Sequence, residues 1–270
     1  MKREKGAGRR EKGRLLPSPC SLLLSPFALL LSPFPVLAQS PAPIADNSFL
    51  IEEAYNQEPG VVQHINTFSR VNGGASWAYS FTQEWPLLSQ RYQLSYTVPV
   101  LHDNGLGTGI GDIALNARYQ LLGGDETSLH VAPRLSVLVP TGNEERGRGA
   151  RGASVQTNLP VSWVPVPKLA MHANAGLTLS PGASPSPFLG ASAIWLLDPE
   201  LNLLVETIWT GGDEESLVLN PGVRWAFNFE SGLQIVPGVA YTIGLDDGAG
   251  PDAVFLYLSF EHPFRRLPSQ

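Results

Sequence analysis

From Asp112 onward the chain alternates residue by residue. Ile113, Leu115, Ala117, Tyr119 and Leu121 fall on one side, Asp112, Asn116, Arg118 and Gln120 on the other. Side chains of a strand change face at every residue, so this is a strand with one apolar and one polar face. The same two-residue period recurs elsewhere. Trp77, Tyr79 and Phe81 alternate with Ser76, Ala78, Ser80 and Thr82, and Leu94, Tyr96 and Val98 alternate with Gln93, Ser95 and Thr97. Leu217, Leu219, Val223 and Trp225 alternate with Asn220 and Arg224. The pattern predicts twelve strands: Val61–Arg70, Ala75–Glu84, Gln90–Val100, Asp112–Leu122, Ser128–Val139, Ser154–Val164, Leu169–Leu179, Phe188–Leu197, Leu201–Thr210, Leu217–Phe227, Leu233–Ile243 and Ala253–Phe264. No sustained i, i+3, i+4, i+7 pattern with caps marks an amphipathic helix, and no apolar run after the leader reaches the roughly 18–20 residues of a spanning helix.

Each strand is near the length needed to cross a bilayer tilted, and the number is even, which places both ends of the wall on one side. Connectors after even strands are tight, such as Pro86 to Ser89 and Pro165 to Lys168. Most of those after odd strands are longer, such as Pro140 to Ala153 and Gly244 to Asp252. Short turns at one end and longer loops at the other mark an outer-membrane barrel, with apolar side chains toward lipid and polar ones toward the interior. Aromatic residues near strand ends (Trp85, Tyr119, Trp163, Trp195, Trp209, Trp225, Phe264) match the interfacial girdles of such barrels. The fold expected is therefore all-β, a single antiparallel transmembrane β-barrel of about 12 strands. A soluble β-sandwich carries the same alternation and differs only in which face is dry.

Ahead of the strands, Met1-Lys2-Arg3 opens a basic stretch, a Leu-rich segment follows, and Val36-Leu37-Ala38 closes it; this reads as a signal peptide over residues 1–38. Five prolines between Pro17 and Pro35 make that segment a poor spanning helix. Cys20 falls inside it, so the exported chain would have neither disulfides nor thiolate metal sites. Taking its seven basic and two acidic residues from the 18 and 24 of the whole chain leaves 11 against 22, a net charge near −11, with Lys168 as the only lysine. Nucleic-acid binding wants a basic surface, and that class is excluded. Residues 39–60 are read as a periplasmic N-terminal segment whose polar part, from Ser48, lies outside the wall or plugs its mouth. Residues 61–264 form the barrel, and 265–270 a tail.

The stretch Ser48–Ile65, the Gly109–Leu122 strand with its Gly-x-Gly-Asp-x-x-Leu-x-x-Arg-Tyr core, and the ending Tyr257–Phe264 resemble the outer-membrane proteins of the putative meta-pathway of phenol degradation family. The resemblance covers nearly all of the chain after the leader. It implies a channel-type barrel in a bacterial outer membrane, loosely tied to uptake of aromatic compounds, and supplies no catalytic residues. Where such barrels end on an aromatic residue, Arg265–Gln270 follow Phe264 here, so the barrel-assembly machinery would read the internal Phe260/Phe264 pattern.

The candidate site is the lumen. Arg91, Asp112, Asn116, Arg118, Arg134, Glu206, Arg224 and Glu261 fall on the polar face of their strands and are expected to line it and set solute selectivity, so that Arg118→Ala or Glu206→Ala would change ion selectivity. His64, His130 and His172 are read onto the same face, with no spacing that forces them together into a metal site. The glycines from Gly105 to Gly111 loosely match a dinucleotide loop, but a β-pattern follows where a helix is required. No Gly-x-Ser-x-Gly nucleophile motif appears, so a lipid hydrolase is a minority reading and a non-enzyme without cofactor the main one. The acidic groups Asp213–Glu215 and Asp246/Asp247/Asp252 are solvated loops or calcium ligands. Arg146, Arg148 and Arg151 could touch lipopolysaccharide. A barrel with a plugged lumen, serving structure or adhesion, is the alternative to a channel. The partners expected are outer-membrane lipid and lipopolysaccharide, the assembly machinery and small solutes.

Overall fold

The computed structural model describes residues 47–124, 127–213 and 215–264; the leader assigned to 1–38, Cys20, Glu214 and the tail 265–270 lie outside the described residues. Twelve antiparallel strands close into a barrel. They are β1 (Val61–Val71), β2 (Trp77–Leu87), β3 (Ser89–Asp103), β4 (Gly107–Ile110 and Ile113–Tyr119), β5 (Leu129–Val131 and Arg134–Val139), β6 (Ser154–Asn158 and Val161–Val166), β7 (Leu169–Leu179), β8 (Ser186–Asp198), β9 (Leu201–Thr210), β10 (Ser216–Trp225 and Phe227–Asn228), β11 (Gln234–Gly244) and β12 (Ala253–Pro263). Each pairs with its neighbours in sequence, and β12 pairs with β1 along the whole of it, from Val61 opposite Pro263 to Val71 opposite Ala253. Full closure leaves no sheet edge, which a bilayer demands because it offers no water to unpaired backbone groups.

Two of the four strand interruptions fall at residues that lack a backbone donor. Pro133 and Pro160 have no N–H to give the ladder, and β5 and β6 break at those residues instead of running through from 128 and 154. The β3–β4 hairpin is longer than the alternation alone suggests. Thr108 pairs with His102 beyond the Gly111–Asp112 break, and Asp103 Oδ1 accepts the N–H groups of Gly105 and Leu106 at 2.8 and 3.2 Å, closing a tight turn at residues 104–106.

Burial is inverted relative to a soluble domain. The side chains sealed from solvent include Arg224, Glu206, Gln63, Asn202, Asn220, Ser136 and Ser162, while Leu115, Leu135, Leu189, Leu203 and Leu256 stand exposed. In a water-facing sandwich that arrangement would expose apolar surface over the whole wall; against hydrocarbon it is the stable one. Exposed rings gather at the end with short turns, among them Tyr92, Trp163, Trp195, Phe227 and Phe264.

The Gly-Asp motif proves to be a loop clamp. Asp112 Oδ1 accepts the N–H of Gly142 at 2.9 Å and Oδ2 that of Ala150 at 2.8 Å, tying the 140–153 loop to the wall. Arg148 lies over Gly109, donating to the carbonyls of Leu106 and Gly107 at 3.1 Å; a Cβ on Gly109 would sit 2.6 Å from its Nε. Asp112 is thus spent on the loop and is not among the residues that line the interior cavity. Other loop acids are used locally as well. Hydrogen bonds from Ser184 hold the Asp213 carboxyl below its ordinary range, and Asp246 caps the short turn at Asp247–Ala249.

Candidate functional site

Residues 47–57 run through the barrel interior as an irregular segment, bent at 49–51 and at 54. A buried chain needs partners for the N–H and C=O groups it carries, and inward side chains of the wall supply many of them here. Glu206 Oε1 accepts three consecutive N–H groups, from Phe49, Leu50 and Ile51, at 2.9, 2.8 and 3.1 Å, while its Oε2 accepts Asn220 Nδ2 at 2.8 Å. Asn174 mimics a neighbouring strand: its Oδ1 accepts the Glu52 N–H and its Nδ2 donates to the Glu52 carbonyl, both at 2.8 Å. Ser162 Oγ, itself 2.6 Å from His172 Nδ1, accepts the Ala54 N–H at 2.7 Å. Arg118 completes the set, donating to Asn56 Oδ1 at 2.9 Å, to the Glu53 carbonyl at 3.0 Å and to the Tyr55 carbonyl.

Inward glycines make the room. A Cβ on Gly190 would lie 2.3 Å from Ile51 Cδ1, and on Gly238 and Gly222 it would lie 2.5 and 2.7 Å from the ring of Phe49. That ring then packs on Phe255 and Tyr257, centroids 5.6 and 5.0 Å away. Residues 48–54 therefore lie against the β6–β11 side of the lumen, and the chain then crosses to β3, where Asn56 Nδ2 donates to the Gln90 carbonyl at 2.8 Å and Gln93 Oε1 accepts the Gln57 N–H at 2.7 Å.

On the other side it leaves a cavity of about 390 Å³, walled by the inward residues of β1–β6 and by Phe255 and Tyr257 of β12. Its lining changes character along its surface. Ile65, Phe49, Phe255 and Tyr257 form an apolar and aromatic patch, beside which stand hydroxyl pairs, Thr67 with Ser80 at 2.7 Å and Thr82 with Thr97 at 2.8 Å. The charged part is built on Arg134, which holds Glu52 in an ion pair at 2.8 Å and donates to Asn116 Oδ1 at 3.1 Å and Gln156 Oε1 at 2.7 Å.

Of the eight residues read from sequence, Asn116, Arg118 and Arg134 reach this cavity. Glu206 and Arg224 are buried on the far side beneath the lumen segment. Glu261 accepts Gln63 Nε2 at 2.6 Å near the turn end. Arg91 is exposed at that end, and Asp112 clamps the loop. Glu206 and Arg118 hold the irregular 47–57 segment of their own chain, which follows from tertiary packing that no local pattern announces. The three histidines are not brought together: His172 holds Ser162, His130 packs edge-on against Tyr55 at 4.6 Å, and His64 points outward, since its neighbour Gln63 occupies the inward face. Missed by sequence reasoning were Phe49, Asn174 and Ser162, together with the glycines that receive the segment.

A family model described as "Putative MetA-pathway of phenol degradation" matches residues 45–249. No curated protein sequence matches the chain. Among solved structures it is similar to an outer membrane channel from Pseudomonas putida F1, with a TM-score of 0.58 at 14% identity over 77% of this chain and 97% of that one. It is also similar to the NanC porin (TM-score 0.53, 7% identity, 74% of this chain and 98% of that one) and the KdgM porin (TM-score 0.52, 7% identity, 75% and 99%). At such identities the likeness is one of fold, and the fold is that of bacterial outer-membrane porins and channels.

Proposed function

Because the chain belongs to the family described as putative MetA-pathway of phenol degradation, we propose that it is an outer-membrane channel for small solutes that combine an aromatic or apolar body with a polar group. The observation that carries this reading is the cavity beside the lumen segment, with its ring-lined patch next to hydroxyls and Arg134. An apolar cavity of about 150 Å³ accommodates benzene, so about 390 Å³ has room for a substituted ring. Desolvating the ring against Phe49 and Phe255 favours entry. The Thr67, Ser80, Thr82 and Thr97 hydroxyls can exchange hydrogen bonds with a solute that keeps a polar group. Lumen charges set ion preference, and around the wall the reading places outer-membrane lipid and lipopolysaccharide, with the barrel-assembly machinery as the partner in insertion. Residues 1–38 are proposed as the cleaved leader, 61–264 as the membrane domain and 265–270 as a tail.

Swelling of proteoliposomes tests this. Phenol-sized aromatics are expected to enter faster than sugars of similar mass, and Arg134→Ala is expected to shift the reversal potential toward cation preference, because it removes a positive charge from the route. Aromatic flux no greater than that of protein-free liposomes would favour the plugged, structural barrel instead.

A further inference from the structure

The seam where the first and last strands close the barrel carries two histidines on its outer surface. Gln63 of β1 and Glu261 of β12 point inward and share a hydrogen bond of 2.6 Å, so the neighbouring His64 and His262 point outward. The ladder sets Val62 opposite His262 and His64 opposite Phe260, which makes the two imidazoles diagonal neighbours. Their Nε2 atoms are 3.3 Å apart, and their ring centroids 5.4 Å apart with planes 20° from parallel. Phe81 lies against His64 with centroids 5.9 Å apart, and both histidines are half-buried.

That spacing is the one a shared metal ion requires. Two imidazole nitrogens, each about 2.0–2.1 Å from a tetrahedral Zn²⁺, stand roughly 3.3–3.4 Å apart, with ring centroids roughly 5.2 Å apart. No backbone movement is needed, because eleven residue pairs from Val61/Pro263 to Val71/Ala253 already fix the two strands in register. The pair sits close to the turn-end rim, two residues before Phe264, where water can supply the remaining ligands. Gln83, opposite His64, has its Oε1 engaged by the Tyr96 hydroxyl at 2.9 Å, and among the described residues no third His, Cys, Asp or Glu joins the two imidazoles.

We propose that His64 and His262 form a divalent-metal clasp across the barrel seam. Neutral imidazole favours late first-row ions such as Zn²⁺, Ni²⁺ and Cu²⁺ over Mg²⁺ and Ca²⁺, which prefer oxygen. The two ligands are 198 residues apart in sequence and meet only in the closed barrel. The metal therefore binds the folded state and raises its stability by mass action.

The test uses the full-length folded barrel in detergent, purified without a histidine tag and stripped with a chelator. It is titrated with ZnCl2, NiCl2 and MgCl2, reading calorimetric binding and the temperature at which heat-modified gel mobility is lost. One Zn²⁺ or Ni²⁺ per barrel is expected, with the transition raised by several degrees, and no response to Mg²⁺. His64→Gln and His262→Gln should each weaken binding at least tenfold while leaving the metal-free transition near that of the parent, and His102→Gln at the far end should bind like the parent. Protection of both imidazoles from diethyl pyrocarbonate by Zn²⁺ asks the same of the unsubstituted barrel. Absence of saturable binding, or binding unaltered in both seam variants, would overturn the proposal and leave a simple imidazole–imidazole hydrogen bond.

Discussion

Replacing Glu206 by Ala is expected to release the lumen segment and raise single-channel conductance several-fold while the barrel still assembles. One carboxyl oxygen accepts three consecutive backbone N–H groups, and the other oxygen accepts Asn220. A buried donor left without a partner costs about 1–3 kcal/mol, and the variant strands the donors of Phe49, Leu50 and Ile51 together. The segment's cheapest response is to leave the wall and let water reach those groups. The ladders of the wall do not depend on Glu206, whose backbone remains paired with Ser192 and Asn220. Glu206→Gln should be milder. It keeps an acceptor for the three N–H groups but sets an amide donor against the Asn220 amide. Planar-bilayer recordings of the two variants check the order: parent lowest, Gln intermediate, Ala highest. Conductance in Glu206→Ala equal to that of the parent would contradict the role assigned to the carboxyl group. A selectivity change alone, as the residue's charge and strand position suggest, would leave the conductance in place.

Gly238→Val is expected to displace the same segment from the other direction. Its Cβ would lie 2.5 Å from Phe49 Cζ and 3.1 Å from Arg224 Cβ, well inside contact distance. Overpacking of this kind costs about 1–3 kcal/mol where neighbours cannot shift, and the wall around Gly238 is held by its pairing with Arg224 and Tyr257. The ring has to move. Phe49→Ala in the same chain removes the clash, so the double variant should recover more of the parent's heat stability than the sum of the two single effects allows. Such non-additivity is the signature of two groups in direct contact. Strict additivity would place Phe49 elsewhere.

The barrel was legible in the sequence because the alternation has a period of two and its apolar half must face one medium throughout. Ile113 to Leu121 shows this in a single strand, and the closing pair of β12 with β1 follows from the even count. Strand interiors were less legible. Pro133 and Pro160 sit inside periodic stretches, and their missing donors, not their polarity, decide where β5 and β6 break. The hairpin at residues 100–110 extends past the point where alternation stops, because Asp103 closes its turn with local hydrogen bonds.

The site was legible only in part, for a physical reason. Arg118, Arg134 and Asn116 could be placed on the inward face from period alone. What they touch could not, since the contacts of the lumen segment with Arg118, Ser162, Asn174 and Glu206 reach across 62 to 157 residues of sequence. Gly190, Gly222 and Gly238 read as punctuation within strands, yet each marks a place where a side chain of the segment fills the space. From sequence, His64 is read onto the inward face with His130 and His172; its outward meeting with His262 goes unseen because the two lie on the first and last strands of a closed circuit.

A cross-link gives the most direct check that residues 48–54 are fixed against the β6–β9 wall while solutes pass beside them. Ser48 Oγ and Ser192 Oγ are 2.6 Å apart, so Ser48→Cys with Ser192→Cys brings two thiols within bonding reach. Cys20 is the only other cysteine, and it precedes the barrel. The account predicts that this pair oxidises in the assembled barrel and that the cross-linked protein conducts as the reduced one does. Thiols that stay unpaired under oxidant, or a cross-link that abolishes conductance, would contradict it.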